Sequence, residues 1–213
     1  MKVAAYVKTS LVDFPENIAS VIFTQGCNMN CPYCHNKDLC TMKDMVDNQD
    51  IISHLAKRAG TIQGVVISGG EPTLQPRLKD NCRKIKSMGF KVKLDTNGTN
   101  PRIIKELIKE DLVDYIAMDV KAPPQKYRDL CGLDFRDVEE SFNIIKSFKN
   151  HEFRTTFYPL LDASDIKDIV DMTGTKNYYL QQYRPISDDS PPSYESESVR
   201  DLCRDLKIKY RGI

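Results

Sequence analysis

Short apolar, β-branched runs recur along the chain at IASVIFT (18–24), GVVIS (64–68), FKVKLDT (90–96), VDYIAMDV (113–120), FRTTFYP (153–159) and YYLQQY (178–183). Between them, apolar residues return every three or four positions, in QDIISHLAKRA, PRLKDNCRKIKSM, PRIIKELIKE, RDVEESFNIIKSF and ASDIKDIVDM. SESVRDLCRDL follows the last run. Short apolar, β-branched runs read as strands and amphipathic stretches of period 3.6 as helices. Six strand–helix alternations predict a parallel α/β fold. A complete eight-unit barrel takes about 250 residues, and this chain has 213. The expectation is therefore one domain over 1–213, an incomplete (β/α)6 TIM-type barrel with an open side. The biased stretch SDDSPPSYESES (187–198) predicts a flexible loop into the last helix.

Glycine and proline mark the strand exits, in TQGC, SGGEP, DTNG, KAPP and YRPIS. In parallel α/β barrels the segments beyond the strand C-termini line the active site. The loop 25–36 after the first run carries three of these cues' most reactive residues, and the other exits are expected to face it.

Charge narrows the partner class. Lys and Arg total 31 against 30 Asp and Glu, for a net +1 without a basic block, so nucleic acid is not the expected partner. No run approaches the roughly 20 apolar residues of a membrane span. The start, MKVAAYVKTSLVDFPEN, has no long apolar core of a signal peptide. Seven cysteines without such a signal predict reduced thiols and a cytoplasmic protein rather than a disulfide scaffold.

Three of those cysteines, Cys27, Cys31 and Cys34, fall together in GCNMNCPYCHN (26–36). A structural zinc site would need a fourth Cys or His. His35 is adjacent to Cys34, and neither Cys40 nor His54 stands at a familiar spacing. An iron–sulfur cubane normally takes four thiolates. Three would leave one iron free for a substrate, by the logic that separates closed metal sites from open ones. Cys82, Cys131 and Cys203, like Cys40, are scattered and read as apolar filler. No second cysteine cluster exists, so no auxiliary centre is expected, and His54 and His151 read as structural or surface residues.

Cys-x3-Cys-x2-Cys with Tyr33 before the last cysteine resembles the signature of radical S-adenosylmethionine enzymes, and SGGEP (68–72) matches their second motif one strand later. DTNG (95–98), MDVK (118–121) and LQQYRP (180–185) extend the likeness over nearly the whole chain. The resemblance implies a [4Fe–4S] cluster on the three cysteines and S-adenosylmethionine on its open iron, cleaved reductively to methionine and a 5′-deoxyadenosyl radical. It makes Tyr33, Gly69, Gly70, Glu71, Asp95, Asn97 and Lys121 candidates for binding that cofactor. Glu71 would meet the methionine amino group or neighbouring backbone. Asp95, Thr96 and Asp119 match residues that hold a monovalent cation beside the cofactor carboxylate; a surface salt bridge between Asp119 and Lys121 is the plainer alternative. Arg154 and Arg184 carry positive charge near the same face, although related proteins often have His near the latter.

KTSLVDFPENIASVIFTQGCNMNCPYCHN is most similar to enzymes that install a glycyl radical on a partner protein, and within them to the activating proteins of anaerobic ribonucleoside-triphosphate reductase. That likeness places Asp13 near an incoming glycine loop and implies a flavodoxin or ferredoxin type electron donor. An open barrel without a cap has little material to enclose a small substrate. Two alternatives stay open: a small-molecule radical enzyme similar to 7-deazapurine synthases, and a zinc or iron–sulfur binding or electron-transfer module.

Overall fold

An antiparallel pair begins the sheet, β1 (Val3–Ser10) against β2 (Ala19–Thr24), with Tyr6 opposite Ile22. From β2 onward all pairing is parallel and in chain order, through β3 (Gly64–Gly69), β4 (Lys91–Thr96), β5 (Tyr115–Asp119), β6 (His151–Phe157), β7 (Tyr178–Gln182) and β8 (Lys209–Arg211). The crossovers carry α1 (Lys37–Thr41), α2 (Asn48–Arg58), α3 (Leu78–Ser87), α4 (Pro101–Lys109), α5 (Pro124–Cys131), α6 (Arg136–Lys146), α7 (Ala163–Thr173) and α8 (Ser196–Asp205). The structure, a computed structural model, describes residues 1–41 and 46–212, and the side chain of Cys40 lies outside the described residues. β1 and β8 stand at the two ends of the strand order, so the sheet curls without closing. The six expected β/α units are β2 through α8, and the expected open side is the gap between the end strands.

Two strands were not expected. β1 is exposed along its second half, which blurs its alternation, and β8 has only three residues. The stretch expected to be a loop at 187–198 divides: 187–195 has no regular structure, while Ser196, Glu197 and Ser198 open α8.

Strands sandwiched between lumen and helices must carry apolar side chains outward and fill the lumen with the alternate set. On β6, Phe153 packs against Phe142 of α6 at 4.8 Å between ring centres, while the alternate residues Glu152 and Arg154 join ion pairs inside the barrel. The lumen is layered. Phe14, Ala19, Val21 and Val66, with Phe23 and Tyr115 against them, form an apolar plug. An ionic layer of β4, β5 and β6 side chains stands next to it, ahead of the loops that leave the strand C-termini. Outside the sheet, one continuous core joins Val65, Ile67, Leu94, Ile116 and Tyr178 to helix residues such as Leu55, Leu107 and Ile169. Among the described residues, no helix is long and apolar enough to cross a membrane.

Candidate cluster and cofactor site

The loop after β2 is stitched at its root to the segment after β3. Gly70 N–H donates to the Thr24 carbonyl (2.9 Å), Glu71 N–H to the Gly26 carbonyl (2.8 Å), and Gln75 Nε2 to the Gln25 carbonyl (2.8 Å). This close approach is why two glycines stand there. A Cβ on Gly70 would lie 1.9 Å from the Gly26 carbonyl oxygen. Gly69 has φ +106°, and its Cβ would lie 2.4 Å from Thr24 N, so neither position tolerates a side chain. Approach to a ligand was the expected reason; the nearest neighbours are the cysteine loop's own root, although both glycines also line the cavity.

That cavity, of about 340 Å³, lies at the C-terminal ends of the strands, within the usual range for small-molecule sites. It gathers Cys27, Cys31, Tyr33, Cys34, Gly69, Gly70, Asp95, Thr96, Asn97, Asp119, Lys121, Arg154 and Asp13. Thus thirteen of the fifteen residues singled out above meet in one place. Arg184 does not: it is exposed, outside the lining, with Nη2 3.3 Å from the Gly212 carbonyl. Glu71 is fully buried just behind the wall.

Both carboxylate oxygens of Glu71 already accept hydrogen bonds from the protein. Oε1 accepts from Thr73 N–H (3.0 Å), Thr73 Oγ1 (2.5 Å) and Thr96 Oγ1 (2.8 Å), and Oε2 accepts from Asn97 N–H (2.7 Å). Of its two expected partners, backbone is the one it has. Burial pushes its carboxyl up, against the pull of those donors. Glu71 therefore clamps the SGGEP turn to the β4 exit.

The three thiols share one cavity wall, and hydrogen-bond donors reach two of them. Met29 N–H points at Cys27 Sγ (3.4 Å) and Asn97 Nδ2 lies 3.8 Å from it. Asn97 also reaches Asn28 Oδ1 (3.0 Å), and Asn28 Nδ2 donates to Thr99 Oγ1 (2.9 Å), which ties the loop to the β4 exit. Cys31 is brought down to about 7, first by a hydrogen bond from the Cys131 thiol and then by Lys121, against the opposing effect of burial. Burial raises Cys27. Hydrogen bonds to sulfur and a low thiol pKa are what a cluster-binding loop needs. No three His, Cys, Asp or Glu among the described residues converge on a single-ion site, as zinc would require. A cubane takes one thiolate per iron around a larger body, and three thiols on one cavity wall fit that demand.

Tyr33 is buried against Tyr158 (4.9 Å between ring centres) and Tyr183 (6.5 Å). Its hydroxyl has no hydrogen-bond partner among the described residues. A buried, unpaired donor on a cavity wall is costly unless a ligand meets it.

The charged residues form a continuous chain. Lys121 Nζ donates to Asp119 Oδ2 (2.8 Å), Arg154 Nε to Asp119 Oδ1 (2.5 Å) and Lys93 Nζ to Asp95 Oδ1 (2.6 Å). Burial opposes ionisation of Asp119 and Asp95. Arg154 leads the opposing charges in each case, joined by Lys121 at Asp119 and Lys93 at Asp95, and both carboxyls are held below the usual range. The Asp119–Lys121 ion pair exists, but in the cavity wall, with the lysine side chain 16% exposed. Arg154 is likewise withdrawn from solvent, at 15%.

Several contributors escaped the sequence reading. Cys131 is buried in the core, as expected of filler, and also stands at the end of α5 against Cys31. Ser68, Thr156, Gln181 and His35 also line the cavity. Thr156 and Gln181 had a usable signal, since each is a polar residue next to the C-terminal end of its strand, where the site is expected; Cys131 had none.

Comparison with known proteins agrees with this geometry. The family profile described as the radical SAM superfamily matches residues 21–173. A Methanocaldococcus jannaschii protein described as a glycyl-radical enzyme activating enzyme is 38% identical over 200 residues, covering 86% of this chain and 80% of that protein. The pyruvate formate-lyase-activating enzyme of Clostridium pasteurianum is 35% identical over 64% of this chain and 60% of its own. The crystal structure of Streptococcus suis SuiB bound to S-adenosylmethionine shares the fold, with a TM-score of 0.66 at 14% identity over 87% of this chain and 47% of that one. The chain belongs to the radical SAM superfamily, among the glycyl-radical enzyme activating enzymes.

Proposed function

We propose that this protein cleaves S-adenosylmethionine reductively and places a radical on a glycine of a partner polypeptide, an anaerobic ribonucleoside-triphosphate reductase being the favoured partner. Cys27, Cys31 and Cys34 would hold the [4Fe–4S] cluster, which when bound supplies the electron for cleavage. Lys121 and Arg154 present positive charge for the cofactor carboxylate, and Tyr33 offers its unpaired hydroxyl. A flavodoxin or ferredoxin type protein would deliver the electron.

The observation that carries the partner reading is the turn between β1 and β2. Ser10 Oγ donates to Asp13 Oδ2 (2.5 Å) and accepts from Val12 N–H (3.2 Å) and Asp13 N–H (3.3 Å). Asp13 thereby lines the cavity, while Leu11 and Val12 stand 73% and 87% exposed beside it. Adjacent exposed apolar side chains at a site's edge suit contact with another protein. Residues of a partner loop could rest on Leu11 and Val12 while a glycine passes Asp13.

Mixing the reduced protein, S-adenosylmethionine and a candidate anaerobic reductase should give a doublet electron paramagnetic resonance signal. The doublet should collapse to a singlet when the partner's glycines carry deuterium at Cα. Asp13→Ala should lower the partner signal roughly tenfold, the worth of about one charge-assisted contact, while uncoupled cofactor cleavage changes less than about twofold. Partners that stay radical-free while a free metabolite is turned over would overturn the proposal.

A further inference from the structure

The resemblance assigns a monovalent cation to Asp95, Thr96 and Asp119. The residues present do not fit one. We infer that the guanidinium of Arg154 takes the cation's place, so that this chain engages S-adenosylmethionine without potassium or sodium.

Each proposed ligand is already committed. Asp119 gives Oδ1 to Arg154 Nε (2.5 Å) and Oδ2 to Lys121 Nζ (2.8 Å). Asp95 gives Oδ1 to Lys93 Nζ (2.6 Å), and its Oδ2 lies 3.4 Å from Arg154 Nη2. Thr96 donates its hydroxyl to Glu71 Oε1 (2.8 Å) and accepts from Gly98 N–H (3.1 Å). Among the described residues, Arg154 is thus the one group with ion pairs to both aspartates. The sheet fixes it there, because β5 and β6 pair Asp119 directly with Arg154. A guanidinium is planar, weakly hydrated and matched to carboxylates. Held by its own strand, it needs no ion from solution.

Charge counting agrees. The layer holds Lys93, Lys121, Arg154 and Arg211 against Asp95, Asp119 and Glu152, four cations to three carboxylates. Arg211 is spent on Glu152, with both contacts at 2.8 Å. Inside this partly desolvated wall both Asp95 and Asp119 are already neutralised by cations carried on the strands, so an added ion would meet no unpaired carboxylate of this pair. Lys121 and Arg154 both line the cavity and present their charge to an anionic ligand group there.

The inference rests on the proposed use of S-adenosylmethionine, so the test has an arm that does not. Cluster-loaded protein is exchanged into tetramethylammonium chloride, and potassium chloride is then substituted at constant ionic strength to remove screening effects. Wild-type affinity for S-adenosylmethionine should change less than about twofold. Thallium(I) NMR, which reads occupancy of a potassium site directly, should show no saturable binding to the wild type with or without S-adenosylmethionine. Arg154→Ala should lose at least roughly tenfold in affinity in tetramethylammonium, regain most of it in potassium, and bind thallium(I) saturably. Arg154→Lys, which keeps a tethered charge, should stay independent of potassium. Saturable thallium(I) binding to the wild type, or a roughly tenfold potassium effect on its affinity, overturns the inference. These wild-type arms decide even where Arg154→Ala fails to fold. Failure to bind S-adenosylmethionine at all would strike the proposed function and leave the thallium(I) result standing.

Discussion

Cys27→Ala, Cys31→Ala and Cys34→Ala should each reduce cleavage of S-adenosylmethionine to background, while Cys82→Ala and Cys203→Ala retain both iron and cleavage. The contrast follows from where the thiols stand. The first three line one cavity, with N–H donors aimed at Cys27 and a neighbouring thiol lowering Cys31. Removing one leaves two anchors for a cluster that already spends its fourth position on the substrate. Cys82 and Cys203 are buried in helix faces, and burial pushes them up to about 12 and about 11. Neither lines the cavity with the other three, so neither can reach the cluster. Iron and sulfide content after anaerobic reconstitution, with 5′-deoxyadenosine release under dithionite, separates the two groups. Cleavage retained by Cys31→Ala would end the cluster assignment.

What the sequence made legible is what repeats or clusters within a few residues. Short apolar, β-branched runs located every strand from β2 to β7, because strands of a parallel sheet covered on both faces read as near-continuous apolar segments. The cysteine triplet and SGGEP were legible because their spacing is short and chemically demanding. The reason for Gly69 and Gly70 was not, since it lies in the backbone of Thr24 and Gly26, more than forty residues earlier. Cys131 was opaque for the same cause: it meets Cys31 only after α5 folds back over the sheet. The ionic layer lies between these cases. Lys93 and Asp95 in KVKLDT, and Glu152 and Arg154 in HEFRTTF, are each two apart and so share a face. Charges at period two in an otherwise buried strand foretell a polar lumen. Only the register of β4, β5 and β6 tells which of them pair, and that pairing is what turns an expected cation site into a closed network.

Glu71→Ala should destabilise the protein before it affects any ligand. The side chain is 0% exposed and satisfies four donors with two oxygens. Truncation leaves Thr73 N–H, the Thr73 and Thr96 hydroxyls and Asn97 N–H without their acceptor. At about 1–3 kcal/mol for each buried unsatisfied group, with some relief from relaxation, the cost is on the order of 4 kcal/mol. For a chain of this size that lowers the unfolding midpoint by about 10 °C. Glu71→Gln keeps the volume but turns an NH2 toward donors on one side, so its loss should be intermediate. Because Glu71 also ties the β3 exit to the β4 exit, the cysteine loop rooted on Gly26 would loosen with it, and reconstituted iron should fall in parallel with stability. Thermal unfolding of the cluster-free protein is the deciding measurement, since no ligand takes part in it. An unchanged midpoint together with weakened S-adenosylmethionine binding would instead make Glu71 a direct contact of the cofactor's amino group.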